Sequence, residues 1–127
     1  MIGIDTSTWV AFLSGQAGND THLLDQALKD QQAVMVPVVL AELLSDPGMA
    51  DDTIEKLLRI PLLEAETGYW QRAGRTRAKV LSKRRKARLA DALIAQSCLD
   101  KDIPLVTRDR DFEIFAQTAG LRLIFGV

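Results

Sequence analysis

Four acidic residues carry the chemistry open to this sequence: Asp5, Glu42, Asp91 and Asp109. Each is flanked by an apolar run, with MIGI before Asp5, VVLA before Glu42, ALIA after Asp91 and LVT shortly before Asp109. Such flanks place a side chain at the rim of a core rather than in open solvent. Carboxylates gathered at one rim repel one another, and the usual compensation is a bound divalent cation. Taken singly, each acid has an ordinary explanation. Asp5, Asp91 and Asp109 suit helix N-caps or turns, and Glu42 suits a helix face. The specific signal is their joint placement.

The elements that must position these acids follow from periodicity. Met1 to Ile4 reads as a first strand ending at Asp5. Thr6, Ser7 and Thr8 suit the start of a helix with Trp9, Val10, Phe12 and Leu13 on its apolar side. Gly15 and Gly18 break it, and Leu23, Leu24, Ala27 and Leu28 give helical spacing from about Asp20 to Asp30. Ala33 to Val36 predicts a second strand, and Pro37 opens the helix VVLAELLS that carries Glu42. Asp46-Pro47-Gly48 marks a turn. A helix over Asp51–Leu58, a third strand over Ile60–Leu63 and a long helix from Glu66 to about Lys83 follow. Asp91 opens the next helix, Leu105-Val106-Thr107 predicts a fourth strand, and Asp109 suits the cap of a helix ended by Gly120. Leu121 to Phe125 predicts a last short strand.

Short apolar strands alternating with helices predict a three-layer α/β/α sandwich around a mostly parallel sheet of four to five strands. In open sheets of this kind, sites form outside the carboxyl ends of the strands. Asp5 and Asp109 are expected there, with right-handed crossovers bringing Glu42 and Asp91 to the same edge.

The chain of 127 residues suits a single domain, residues 1–127, and 47% hydrophobic content is enough for a core. No apolar run approaches the roughly 20 residues that span a bilayer. The N-terminus carries Asp5 at once and lacks a basic leader region. Cys98 is the only cysteine, so no intramolecular disulfide forms, and a buried packing role is expected for it. These features predict a cytoplasmic protein. The net charge of −1 hides an uneven distribution: no Asp or Glu occurs from Thr67 to Ala90. Nine of the 16 Lys and Arg lie in that stretch, leaving seven basic residues against all 17 acidic ones elsewhere. A basic segment set into an acidic body marks a polyanion-facing rim, since solvated helices usually interleave both signs.

The ordered set of motifs resembles the PIN-domain nucleases, and most closely the VapC-type toxins of toxin–antitoxin pairs. The resemblance runs from MIGIDTSTW to LRLIFGV. Asp5 with Thr6 and Ser7 is similar to the family's first motif, and Glu42 in PVVLAELL to its second. Asp91 in LADALIAQSC is similar to the third and is the most distinctive piece. Asp109 in LVTRDRDF is similar to the fourth, with Asp111 as the alternative acid. Where members of the family carry a small-residue or glycine-containing stretch before the third acid, this chain has SKRRKARLA. That departure bears on loop shape and substrate path, not on the acids.

The resemblance implies metal-dependent endoribonuclease activity leaving a 5′-phosphate and a 3′-hydroxyl. Hard oxygen donors without clustered His or Cys point to Mg²⁺ or Mn²⁺, not zinc. Asp5, Asp91 and Asp109 are expected to hold the cation directly or through water, and Glu42 to complete the shell or orient the attacking water. Thr6, Ser7, Thr107 and Asp111 are expected to support those acids. Lys83, Arg84, Arg85, Lys86 and Arg88 are expected to contact RNA phosphates beside Asp91. A cognate antitoxin and a homodimer are implied as partners, with Trp9, Phe12, Tyr69 and Trp70 as candidate contact residues for which core packing is the stronger expectation. His22, the single histidine, is expected on the surface, which leaves Ser–His, Cys–His and metal-free His chemistry without support. Two competing readings are a PIN-like module that only binds RNA or protein, and a Mg²⁺-dependent phosphoacceptor domain. The latter wants paired acids after the first strand and a late Lys, where this chain has Asp5-Thr6 and Thr107-Arg108.

Overall fold

In a computed structural model, which describes residues 1–126, four strands are separated by seven helices. Strand β1 is Ile2–Ile4, followed by α1 (Thr6–Leu13) and α2 (Asn19–Lys29). Strand β2 (Ala33–Val34) leads to α3 (Pro37–Leu44), α4 (Asp51–Leu58), α5 (Tyr69–Ser82) and α6 (Leu89–Lys101). Strand β3 (Leu105–Thr107), a 3-10 turn (Arg110–Phe112), α7 (Glu113–Ala119) and β4 (Leu123–Phe125) complete the order. The sheet order is β2-β1-β3-β4, and every pairing is parallel. Parallel neighbours need crossover connections, and the helices that supply them cover both faces of the sheet, giving the α/β/α sandwich.

Burial explains the apolar residues of the two central strands. Ile4, Leu105 and Val106 are fully buried, as strands covered on both faces must be. Trp9, Leu24, Ile94, Phe112 and Phe115 fill the space between sheet and helices. Helices α5 and α6 pack as a pair, with α7 against α5 and α1 against α2. No helix among the described residues is long and apolar enough to cross a membrane.

Strand β2 ends at Val34 rather than Val36, and four further boundaries differ from the sequence expectations for a local reason. Ile60–Leu63 is not a strand: only Leu62 forms a single parallel bridge, to Met35. Pro61 has no N–H to donate, so the ladder cannot extend, although its carbonyl accepts the Met35 N–H at 2.7 Å. Helix α5 starts at Tyr69 rather than Glu66, because Gly68 is left-handed at φ 84°. Leu121 lies in neither α7 nor β4: it follows the Gly120 C-cap with its N–H toward the Phe115 carbonyl, and β4 starts at Leu123. Helix α6 starts at Leu89, two residues before Asp91, with extended Arg88 at its N-cap. Asp91 is therefore a first-turn residue and not the cap.

Candidate metal centre

The carboxyl ends of β1 and β3 lie side by side, since Ile4 pairs with Val106 and the Asp5 N–H bonds the Val106 carbonyl at 2.9 Å. Asp5 leaves β1 at that point, and Thr107, Arg108 and Asp109 leave β3 beside it. Asp5 is buried, and Oδ2 of its carboxylate accepts the Ser7 hydroxyl at 2.7 Å and the Thr107 hydroxyl at 2.8 Å. Each hydroxyl has one proton and gives it to Asp5, so each oxygen is left to accept. Ser7 Oγ takes the Arg108 backbone N–H at 3.1 Å, and Thr107 Oγ1 takes the Asp109 backbone N–H at 2.9 Å. Asp5 is thereby tied to the backbone that carries Asp109. Burial pushes the Asp5 carboxyl above its ordinary range, and the two hydroxyls offset part of that.

The first turn of α6 delivers Asp91 to the same place, where the helix N-terminus favours a negative group. One carboxylate oxygen each from Asp91, Asp109 and Asp111 lies within 4.8 Å of the others. Asp109 also caps the 3-10 turn, its Oδ1 accepting the Asp111 N–H at 2.9 Å, which holds those two acids in fixed relation. Asp91 registers the crowding: its pKa is pushed up to about 6 by burial, then by the Asp109 and Asp5 carboxylates, with Arg88 opposing and Asp111 adding. A carboxylate held that far above its ordinary value is one the fold leaves uncompensated.

Each residue expected at the site can now be located. Asp91 and Asp109 stand in the close trio, and so does Asp111. Asp5 is not among the three, but it lies near enough to raise Asp91. Glu42 is exposed in the second turn of α3, and it is joined to the site through Thr6, whose hydroxyl donates to Glu42 Oε1 at 2.7 Å. Thr6 and Glu42 line a cleft of about 300 Å³ with Val10, Leu13 and Leu43, beside the acids rather than over them. Ser7 and Thr107 bond Asp5, as expected of supporting hydroxyls.

The basic segment divides in two. Arg72 is spent on structure, with a two-pronged contact to Asp100 at 3.0 and 2.7 Å. Arg77 donates to the Ala87 carbonyl. Lys83, Arg84, Arg85, Lys86 and Arg88 are all exposed, and none enters an ion pair among the described residues. They occupy the α5–α6 turn that delivers Asp91. Among the aromatic candidates, Trp9 and Tyr69 are core, Phe12 is half-buried and Trp70 is 66% exposed. Burial raises the Cys98 thiol to about 12, which leaves it inert at neutral pH. His22 is exposed.

A family model for the PIN domain matches residues 2–119. The chain belongs to the PIN-domain family. Solved structures share its fold over nearly the whole length. VapBC2 from Rickettsia felis, bound to a DNA fragment from their promoter, matches with a TM-score of 0.75 and 20% identity, over 98% of each chain. VapBC-1 from nontypeable Haemophilus influenzae matches with 0.74 and 18%, over 98% of each. VapBC-5 from Mycobacterium tuberculosis, a member of the VapBC family of toxin–antitoxin systems, matches with 0.67 and 21%, over 97% of this chain and 94% of that one. No curated protein matches in sequence. In this PIN fold the donor set among the described residues is carboxylate oxygen with hydroxyl support, which suits a hard divalent cation.

Proposed function

We propose that this single PIN domain is a Mg²⁺- or Mn²⁺-dependent endoribonuclease and the toxin of a toxin–antitoxin pair. The observation that carries the reading is the trio Asp91, Asp109 and Asp111 with Asp5 beside it, four acids that repel one another at one sheet edge. Asp91, Asp109, Asp111 and Asp5 would hold the cation directly or through water. When bound, the cation supplies charge stabilisation at the phosphoryl oxygens and lowers the pKa of water. Asp5 is kept in place by Ser7 and Thr107, and Asp109 and Asp111 by the 3-10 turn. Glu42, exposed and held by Thr6, is the acid free to orient the attacking water. Lys83 to Arg88 supply phosphate contacts that let a polyanion approach an acidic site.

The partner half of the reading is supported by solved neighbours that are VapBC toxin–antitoxin proteins. A cognate antitoxin would cover the acids, and a homodimer is the expected assembly. The test is cleavage of a structured RNA pool by antitoxin-free protein, with Mg²⁺ or Mn²⁺ and with chelator, beside folded Asp91→Asn. Cutting that needs both metal and Asp91 establishes the nuclease. Metal binding without cutting of any RNA favours a binding module, and no metal binding removes the reading.

A further inference from the structure

Arg108 stands between Thr107 and Asp109, yet its side chain is turned toward Asp20, with 22% of it left exposed. Nε and Nη2 of its guanidinium grip the two oxygens of Asp20 at 2.6 and 3.0 Å. Nη2 also donates to the Ala17 carbonyl at 2.8 Å, and Nη1 to Gln16 Oε1 at 3.1 Å. Asp20 comes from the first turn of α2, is fully buried, and takes a further hydrogen bond from the buried Thr8 hydroxyl of α1 at 2.9 Å. Two glycines pack closely against the pair. A Cβ at Gly18 would stand 2.7 Å from Arg108 Nη2, and one at Gly126 would stand 2.3 Å from Asp20 Cγ. Both backbones therefore close on the ion pair only because they lack a side chain.

The backbone of the same arginine faces the other way. Its N–H orients Ser7, which bonds Asp5, and the next peptide N–H orients Thr107, which bonds Asp5 as well. The segment thus has its side chain clamped on one side and its peptide groups aimed at the acids on the other. From this geometry we infer that Asp20 and Arg108 are positioning residues: their ion pair fixes the β3 turn so that Asp5 and Asp109 hold the spacing a divalent cation needs. The inference rests on the metal-site reading above. Planarity matters here, because only a guanidinium presents the fork that engages both oxygens of Asp20 and two further acceptors at once.

The test measures Mn²⁺ affinity by calorimetry, with melting temperature and RNA cleavage, for wild type, Arg108→Lys, and a double variant with Asp20→Leu and Arg108→Met. Arg108→Lys keeps the charge and loses the fork. The double variant removes both charges together, a change that buried pairs often tolerate without loss of stability. Both are expected to fold and to bind Mn²⁺ about 10–100-fold more weakly, the range seen when groups supporting metal ligands are lost, with cleavage falling in step. A purely structural pair would shift the melting temperature and leave the Mn²⁺ affinity of folded protein within about twofold of wild type. That result overturns the inference, and either variant alone decides it if the other fails to fold. If wild type itself binds no Mn²⁺, the metal-site reading falls and this inference with it. If wild type binds and the variants bind equally, only the positioning role falls.

Discussion

Asp20 and Asp109 are both held at one turn after β3, on opposite sides of Arg108, and their surroundings differ in kind. Asp20 has no solvent exposure, yet its carboxyl lies below the ordinary range. Burial by itself would raise it, and the Arg108 fork and the Thr8 hydroxyl more than offset that. On the other side, Asp91, Asp109 and Asp111 meet with Arg88 only partly opposing their repulsion, and Asp91 is driven up to about 6. Asp91 is less buried than Asp20, yet it is the one pushed upward. Burial alone therefore does not mark a site in this molecule. The mark is charge that the fold brings together and leaves without an internal partner, since such an arrangement calls for a partner from outside.

The largest effect should come from breaking the satisfied side. Asp20→Ala leaves the Arg108 guanidinium in its pocket without a counter-charge. Chemical denaturation should show a loss of about 3 kcal/mol, the low end for one partner of a buried pair because Arg108 keeps some solvent. The opposite is expected on the other side. Asp91→Asn removes one of the repelling charges, so the metal-free protein should melt at a higher temperature than wild type. Its cleavage should fall by more than the roughly 10–100-fold typical of a lost supporting group. A lower melting temperature would mean that the acids are compensated from within.

The pH dependence sharpens the same contrast, and its sign differs on the two sides. A carboxylate whose folded pKa is raised stabilises the fold while protonated, and the benefit is lost as pH rises through the folded pKa. The Asp91 contribution to metal-free stability should therefore decline between about pH 4 and the value of about 6, and stay low above it. Proton and cation compete for the same oxygens, so added Mn²⁺ should raise the melting temperature more at pH 8 than at pH 5. Asp20 behaves oppositely: its contribution is present above the ordinary carboxylate pKa and is lost as pH falls below it. Thermal melts of wild type and Asp91→Asn across pH, with and without Mn²⁺, separate these terms.

The smallest effect concerns the basic segment, which splits along the same line. Arg72 is matched by Asp100, as Arg108 is by Asp20, whereas Arg84 and Arg85 are exposed and outside every ion pair among the described residues. Replacing Arg84 and Arg85 with Ala should weaken RNA binding and flatten its dependence on log salt by about 1.4, two single-strand phosphate contacts at roughly 0.7 each. An unchanged slope would take these two residues out of the RNA path.

Much of the fold was legible because its signals are local. Apolar strand runs, helical spacing in α2 and α6, Pro37 at a helix start and Gly120 at a helix end each act within a few residues. Errors fell where a local pattern met a longer-range condition. Ile60–Leu63 has strand composition, but Pro61 lacks the donor that pairing beside β2 would use. Asp91 looked like a cap, yet Arg88 holds that position and places Asp91 inside the first turn, where its carboxylate faces Asp109.

The sequence by itself determined which residue types stand at the strand ends, their order along the chain, and the acidic and basic composition of its segments. Those are one-dimensional facts, and motif spacing carries them. Only the tertiary structure decided that Asp111 joins Asp91 and Asp109, that Thr6 holds Glu42, and that Arg108 belongs to Asp20 rather than to RNA or the acids. Asp20 and Arg108 are 88 residues apart. A hydrogen bond discriminates over tenths of an ångström, and no pattern along the chain encodes such a distance between residues from different elements. It is set when the crossovers bring the ends of β1 and β3 together with the first turns of α2 and α6.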